Sequence, residues 1–211
     1  MSEASLSFLN TKISIPRLAE HSVQRTRLLN RLEESVRRGK LTLISASAGY
    51  GKSTLVRQWI EFTRNQIHPI WLSLDAADNH PPRFLTCLIA AIQSMIPGWG
   101  RTIQSWAMLP EFPPLEILTT ELIKEIEFND PFLLVLDDYH LIHQPHIHTL
   151  IESLIVKTPP GFHIILLTRE DPPIGLGRLR AHRQLLELRG SDLSFTEVET
   201  LQFLCESMAL N

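Results

Sequence analysis

One stretch constrains the fold of this chain more than any other: Ala46-Ser47-Ala48-Gly49-Tyr50-Gly51-Lys52-Ser53-Thr54. It follows a short apolar run, Leu41 to Ser45, and opens a helix-periodic one, Ser53 to Thr63. A strand, a glycine-rich turn and a helix in that order gather backbone N–H groups at a helix N-terminus, where they face a polyanion. Gly49 and Gly51 permit backbone conformations barred to other residues and let the main chain approach phosphate closely, with Ala48 and Tyr50 completing the loop. Lys52 reaches toward the β and γ phosphates, the Ser53 hydroxyl toward Mg²⁺, and Thr54 toward the α phosphate. This is a P-loop. Its usual first glycine is replaced by Ala46, which fits wherever φ stays negative.

A second motif supports the first. Phe132-Leu133-Leu134-Val135-Leu136 is an apolar strand that delivers Asp137 and Asp138 at its C-terminal end. Ligands of parallel sheets bind at that edge. Asp137 is expected to hold Mg²⁺, and Asp138 to polarise the water that attacks a γ-phosphate. Arg169, just after the strand His163 to Leu167, is expected at the same edge, where a guanidinium can report the γ-phosphate. The other reading of Arg169 is a surface pair with Glu170 or Asp171.

Periodicity extends the argument to the whole chain. Further strands are read at Ile70 to Leu74 and Gln184 to Leu188, and helices at Ser22 to Arg38, Pro82 to Ile96, Leu115 to Phe128 and Ile147 to Val156. Gly39 is placed to end the first helix. Alternating strands and helices predict an α/β fold with helices on both faces of a mostly parallel five-stranded sheet; as a P-loop NTPase, its expected strand order is fifth, first, fourth, third, second. Residues 1–39 are expected to contribute to the nucleotide pocket, 40–190 to form the core, and 191–211 to begin a helical subdomain. That last helix is announced by Thr196 and Glu199 at capping-box spacing, and its apolar face suggests the front portion of a longer protein. Residues 97–114, rich in proline, show no clear period.

Charge and composition exclude several classes. A net charge of −3 and a pI near 6.3 argue against this segment gripping a nucleic-acid backbone. The cluster Arg25, Arg27, Arg31, Arg37, Arg38 and Lys40 reads as the wet face of a helix whose dry face is Leu28, Leu29, Leu32 and Val36. No apolar run approaches a membrane span and no secretory signal is present, so the expected location is the cytoplasm. Cys87 and Cys205 read as reduced thiols packed in the interior.

With these residues in place, the sequence resembles the nucleotide-binding domain of MalT-like regulators, a LuxR-type transcription-factor branch of the STAND signal-transduction ATPases. The resemblance rests on Thr11-Lys12 with Pro16, on Val23, Arg25, Arg27, Leu28 and Leu29, and on Ala48 to Lys52. It continues through Trp71 to Asp75 with Asp78-Asn79, Leu136 to His140, Thr168-Arg169, Leu179-Arg180, Gln184 to Glu187 and Leu193 to Thr196. It implies a module that holds ADP at rest, exchanges it for ATP, self-associates, and is reset by slow hydrolysis. It also implies that Val23 and Arg25 lie near the base and ribose, and that DNA is bound only through a C-terminal domain absent from these 211 residues.

Other clusters are weighed and set aside. His140, His143, His146 and His148 have the wrong spacing for zinc, with Pro145 interrupting a turn into a helix. Arg178, Arg180 and Arg183 read as a solvated turn rather than an arginine finger, and Asp75 and Asp78 either join the magnesium shell or form a turn. Three functions stay open on the motifs alone: a regulatory switch, a P-loop kinase acting on a small molecule, and a scaffold that holds nucleotide without cleaving it.

Overall fold

The computed structural model describes residues 9–18, 22–63, 68–106, 113–126 and 132–208. Its strands are β1 (Leu41–Ser45), β2 (His68–Ser73), β3 (Phe132–Asp137), β4 (Phe162–Thr168) and β5 (Leu185–Arg189). They pair in the order β2-β3-β4-β1-β5, every pair parallel. The expected order holds, and "mostly parallel" becomes wholly parallel.

A parallel sheet needs cover on both faces, and the alternation of side chains along each strand divides the core in two. Leu43, Leu72, Leu134, Leu136, Ile164 and Leu166 face helices α3 (Pro81–Gln93), α5 (Leu115–Glu125) and α6 (Pro145–Lys157), which contribute Phe84, Leu88, Leu122, Ile151 and Leu154. Ile44, Trp71, Leu133, Val135, Ile165 and Leu167 face α1 (Thr26–Arg38) and α2 (Lys52–Phe62), which contribute Leu28, Leu32, Leu55, Val56 and Trp59. Every residue of β1 and β4 is buried. At about 1.5–3 kcal/mol for each large aliphatic side chain, these two layers hold the strand ends in fixed positions.

The remaining elements are α4 (Arg101–Trp106), α7 (Leu176–Ala181), α8 (Gly190–Leu193), α9 (Glu197–Met208) and two 3₁₀ turns, Ala76–Asn79 and Tyr139–Leu141. Helix α4 falls within the stretch that shows no period, of which 107–112 lie outside the described residues. A helical turn also occupies residues 9–13. Among the described residues no helix is long and apolar enough to cross a membrane.

Several sequence readings are corrected. The first helix begins at Thr26 rather than Ser22, because Val23 and Arg25 are drawn into the interior ahead of it. Gly39 ends that helix in an extended conformation, not a left-handed one, and is glycine because a Cβ would sit 2.7 Å from the Ser35 carbonyl oxygen. Helix α3 stops at Gln93, short of Ile96, and α5 ends at Glu125, with 127 and 128 outside the described residues. Pro145 starts α6 instead of interrupting it, since the first helical position needs no N–H. Cys87 is buried as expected, but Cys205 lies exposed on α9.

The basic face of α1 is also less wet than its periodicity suggests. Arg25 is buried, Arg27 pairs with Glu199 and donates to the Asp192 and Ser194 carbonyls, and Arg31 pairs with Asp192 at 2.7 Å. These arginines fasten the segment after β5 onto α1. The expected capping box forms there as well: the Glu199 N–H donates to Thr196 Oγ1 at 3.2 Å, and the Thr196 N–H to Glu199 Oε2 at 2.9 Å.

Candidate functional site

Strand β1 ends at Ser45 and the chain turns through 46–51 into α2. Gly49 has φ 84° and Gly51 φ 72°, the left-handed region that a side chain disfavours. A Cβ on Gly51 would also strike the Arg25 guanidinium at 2.8 Å, whereas the space beside Gly49 is open. Ala46 is not among the residues of positive φ, so alanine there is unstrained.

The first residue of α2, Lys52, is buried, and its ammonium donates to the carbonyls of Ala46 at 2.7 Å and Ser47 at 3.0 Å. Burial lowers its pKa; Asp138 and Asp137 oppose that shift, while Arg169 adds to it. Next to it, Ser53 Oγ donates to Asp137 Oδ2 at 2.9 Å, and the Asp138 N–H donates to Asp137 Oδ1 at 3.0 Å. Burial raises the Asp137 pKa, with the neighbouring Asp138 charge adding to the effect against the Ser53 hydrogen bond. Asp138 itself takes a left-handed conformation, φ 57° and ψ 38°, with its side chain half exposed and Oδ1 3.9 Å from His140 Nδ1.

These groups surround one cavity of about 350 Å³, lined by Ala48, Gly49, Gly51 to Thr54, Asp137, Asp138 and Arg169. Arg169 forms no ion pair among the described residues: of the two partners in its alternative reading, Glu170 does not pair with it and Asp171 is bound to Arg189. A second cavity of about 500 Å³ shares Ala48, Gly49, Gly51 and Thr54 with the first. Val23, Arg25 and Tyr50 line it together with Ser22, Leu193, Phe195 and Phe203. The two form one cleft with a charged lobe and a largely apolar, aromatic lobe meeting over the glycines.

Arg25 joins the parts of this cleft. Its guanidinium donates to the Gly51 carbonyl at 3.0 Å and the Leu193 carbonyl at 2.9 Å, and lies 5.6 Å from the centre of the Phe195 ring. Burial lowers its pKa. Val23 is held from behind, where Gln58 Nε2 donates to its carbonyl at 2.9 Å.

All the candidate site residues read from the sequence therefore lie on one cleft. Its aromatic wall went unread. Phe195 and Phe203, with ring centres 5.6 Å apart, come from a segment that follows the last strand, and the only sequence signal was the run Leu193 to Thr196.

Comparison with solved structures places this architecture. Over 92% of the chain it superposes on a STAND protein with a tetratricopeptide repeat sensor from Pyrococcus horikoshii, with TM-score 0.61, 16% identity and 27% of that protein covered. A Walker-type ATPase of Pyrococcus abyssi matches over 96% of the chain and 63% of its own length, with TM-score 0.53 and 17% identity. The ORC1 protein of Aeropyrum pernix, solved in complex with DNA, matches over 92% of the chain and half of its own length, with TM-score 0.52 and 14% identity. The chain has the fold of a P-loop ATPase. It spans about a quarter to under two thirds of these proteins. No protein-family model matches the sequence.

Within this P-loop ATPase fold the clusters set aside earlier have other partners. Asp78 is fully buried and pairs with Lys12 and Arg83, while Asp75 and Asp78 together cap the turn Ala76–Asn79. Arg180 forms a two-pronged pair with Glu187, and Arg178 and Arg183 are exposed. The His148 ring nitrogen is hydrogen-bonded to the Tyr139 hydroxyl at 2.9 Å.

Proposed function

We propose that this chain is the ATP/ADP-binding switch of a STAND-type signal-transduction ATPase, within a MalT-like regulator of the LuxR type. The observation that carries the reading is the two-lobed cleft, whose aromatic lobe is walled by the segment that leads into α9. A nucleotide has the matching division: a charged tail and a flat base. In this reading the loop amides and Lys52 hold the phosphates, while Val23, Arg25, Tyr50 and the two phenylalanines surround the base and ribose.

The residues also fit a magnesium ion. Ser53 Oγ and Asp137 Oδ2, hard oxygen donors 2.9 Å apart, belong to residues that line the charged lobe. When bound there, Mg²⁺ supplies positive charge that neutralises phosphate oxygens. Asp138, half exposed at the mouth of the same lobe, accepts the proton of an attacking water, and Arg169 meets the γ-phosphate. Slow hydrolysis then resets the switch.

A nucleotide shifts a two-state balance only by its differential affinity for the two states. Charge-assisted contacts of roughly 1.5–3 kcal/mol each at Lys52, Arg169 and the metal pair are sufficient for a shift of a few kcal/mol. Exchange of ADP for ATP rearranges the core against the segment beginning near Thr196 and favours self-association, with DNA bound through a region beyond this sequence.

Calorimetric titration with ADP and a non-hydrolysable ATP analogue, with and without Mg²⁺, on the wild type and Ser53→Ala tests this. Tighter binding with Mg²⁺, weakened in Ser53→Ala, and a larger particle by light scattering with the ATP analogue are the expected results. Equal affinities for the two nucleotides with no change in particle size would remove the switch, and an absence of binding would remove the site.

A further inference from the structure

The connection that follows Asp138 is bound from outside by Asn79, at the end of the 3₁₀ turn that follows β2. Its amide Nδ2 donates to the Leu141 carbonyl at 2.7 Å and to the Ala76 carbonyl at 3.0 Å. Its Oδ1 accepts from the His143 N–H at 2.6 Å and the Gln144 N–H at 3.1 Å. Both donors and both acceptor positions are used, and the main-chain partners define which end of the amide is which. Three of these four bonds go to one connection, the stretch from Asp138 to the start of α6.

That connection has to hold Asp138 in a conformation few non-glycine residues adopt. Two contacts act from within it: the Asp138 N–H on the Asp137 carboxylate, and the Leu141 N–H on the Asp138 carbonyl at 3.0 Å. The peptide after this second bond carries the Leu141 carbonyl, which Asn79 binds. Asn79 thus closes the far end of the loop whose near end is Asp138. It is itself held firmly, because the preceding residue, Asp78, is fully buried and accepts from Lys12, Arg83 and the Asp75 N–H. The Leu74 N–H donates to the Asp137 carbonyl at 3.0 Å, so the two strand ends are also bonded directly.

We propose that Asn79 is a positioning residue for ATP hydrolysis: it fixes the connection after β3 so that the Asp138 carboxylate points into the charged lobe. This rests on the reading above, in which Asp138 takes the proton of the attacking water. Asparagine suits the role because one short side chain supplies donors and acceptors together. Aspartate keeps the two acceptor bonds and loses the donors, and alanine loses all four.

The test is single-turnover phosphate release by the whole chain, with nucleotide affinity measured alongside, for the wild type, Asn79→Ala, Asn79→Asp, Asp138→Asn and the double variant Asn79→Ala/Asp138→Asn. Small displacements of a reacting group reduce rate far more than affinity, so Asn79→Ala is expected to slow release by about tenfold to a hundredfold with affinity within about twofold. Asn79→Asp should fall between it and the wild type, and serves if the alanine variant folds poorly. The double variant should be no slower than Asp138→Asn, because a residue acting only through Asp138 has nothing left to position. Hydrogen exchange at the His143 and Gln144 amides should rise in Asn79→Ala. If wild type exceeds Asp138→Asn in turnover while Asn79→Ala matches wild type, or the double variant loses further rate, the proposal is overturned and the ATPase reading stands. If wild type is no faster than Asp138→Asn, both fall together.

Discussion

The two ends of the parallel sheet treat their polar groups in opposite ways. At the N-terminal end, Thr42 Oγ1 bonds His163 Nε2 at 2.9 Å and Ser35 Oγ at 3.0 Å, and Lys40 binds the Thr158 carbonyl. Apart from His163 Nδ1, these groups are hydrogen-bonded within the fold. At the C-terminal end, Lys52, Ser53, Asp137, Asp138 and Arg169 line an open cavity, two of them carboxylates side by side, and Asp138 sits in a left-handed backbone conformation. One end closes its polar groups on one another, the other leaves them around a cavity. The difference teaches where mutations should separate stability from activity.

The sharpest separation is expected at Asp138. Changing it to asparagine should lower the rate of phosphate release by about 10²–10⁴-fold, the usual worth of a positioned base, with unfolding by denaturant left nearly unchanged. A parallel loss of stability would erase the contrast between the ends.

At the opposite end the expected effect is on stability alone. Burial pushes the His163 pKa down from the usual 6.5 to about 4. The unfolded chain therefore takes up a proton near pH 6.5 that the folded chain refuses until about pH 4, so stability falls as pH drops through that window. The loss reaches up to about 3 kcal/mol. Urea unfolding between pH 7 and pH 4 should show a shallower decline in His163→Gln than in the wild type, and nucleotide affinity at neutral pH should not move.

Lys52→Ala should weaken nucleotide binding by roughly 10- to 100-fold, the equivalent of one charge-assisted contact, as read by titration. The smallest effect belongs to the junction between the core and α9. Thr196→Ala removes an N-cap and should cost that helix about 1 kcal/mol, visible as faster hydrogen exchange at the start of α9 and not in the sheet. Protection loss spreading into β1 would mean that the junction and the core unfold as one unit.

Much of the charged lobe was legible in the sequence because its parts are local. Gly49, Gly51, Lys52 and Ser53 are neighbours between one strand and one helix, and Asp137-Asp138 and Thr168-Arg169 each end an apolar strand. Knowing that strands are parallel is enough to bring their ends to one edge. The aromatic lobe was not legible in the same way. Phe195 and Phe203 carry no periodic signal that separates a pocket wall from an ordinary helix face, and they meet Val23 and Arg25 only through the tertiary fold. Arg25 was placed near the pocket by the resemblance alone, not by its local pattern. Charge and spacing put it on a wet helix face, whereas its carbonyl partners belong to Gly51 and Leu193, groups whose position no local pattern reveals.

The amino-acid order by itself determined the strand–loop–helix that defines the fold, the two further strand ends that face it, and the capping of the last helix, since each depends on short-range sterics and hydrogen bonding. Only the tertiary structure decided which lone polar side chains join distant segments: Arg25 across the cleft, Lys12 onto Asp78, Asn79 onto the loop after Asp138. Such contacts depend on where the packed faces of the sheet carry their ends. That position is a property of the assembled core and not of any stretch of chain within it.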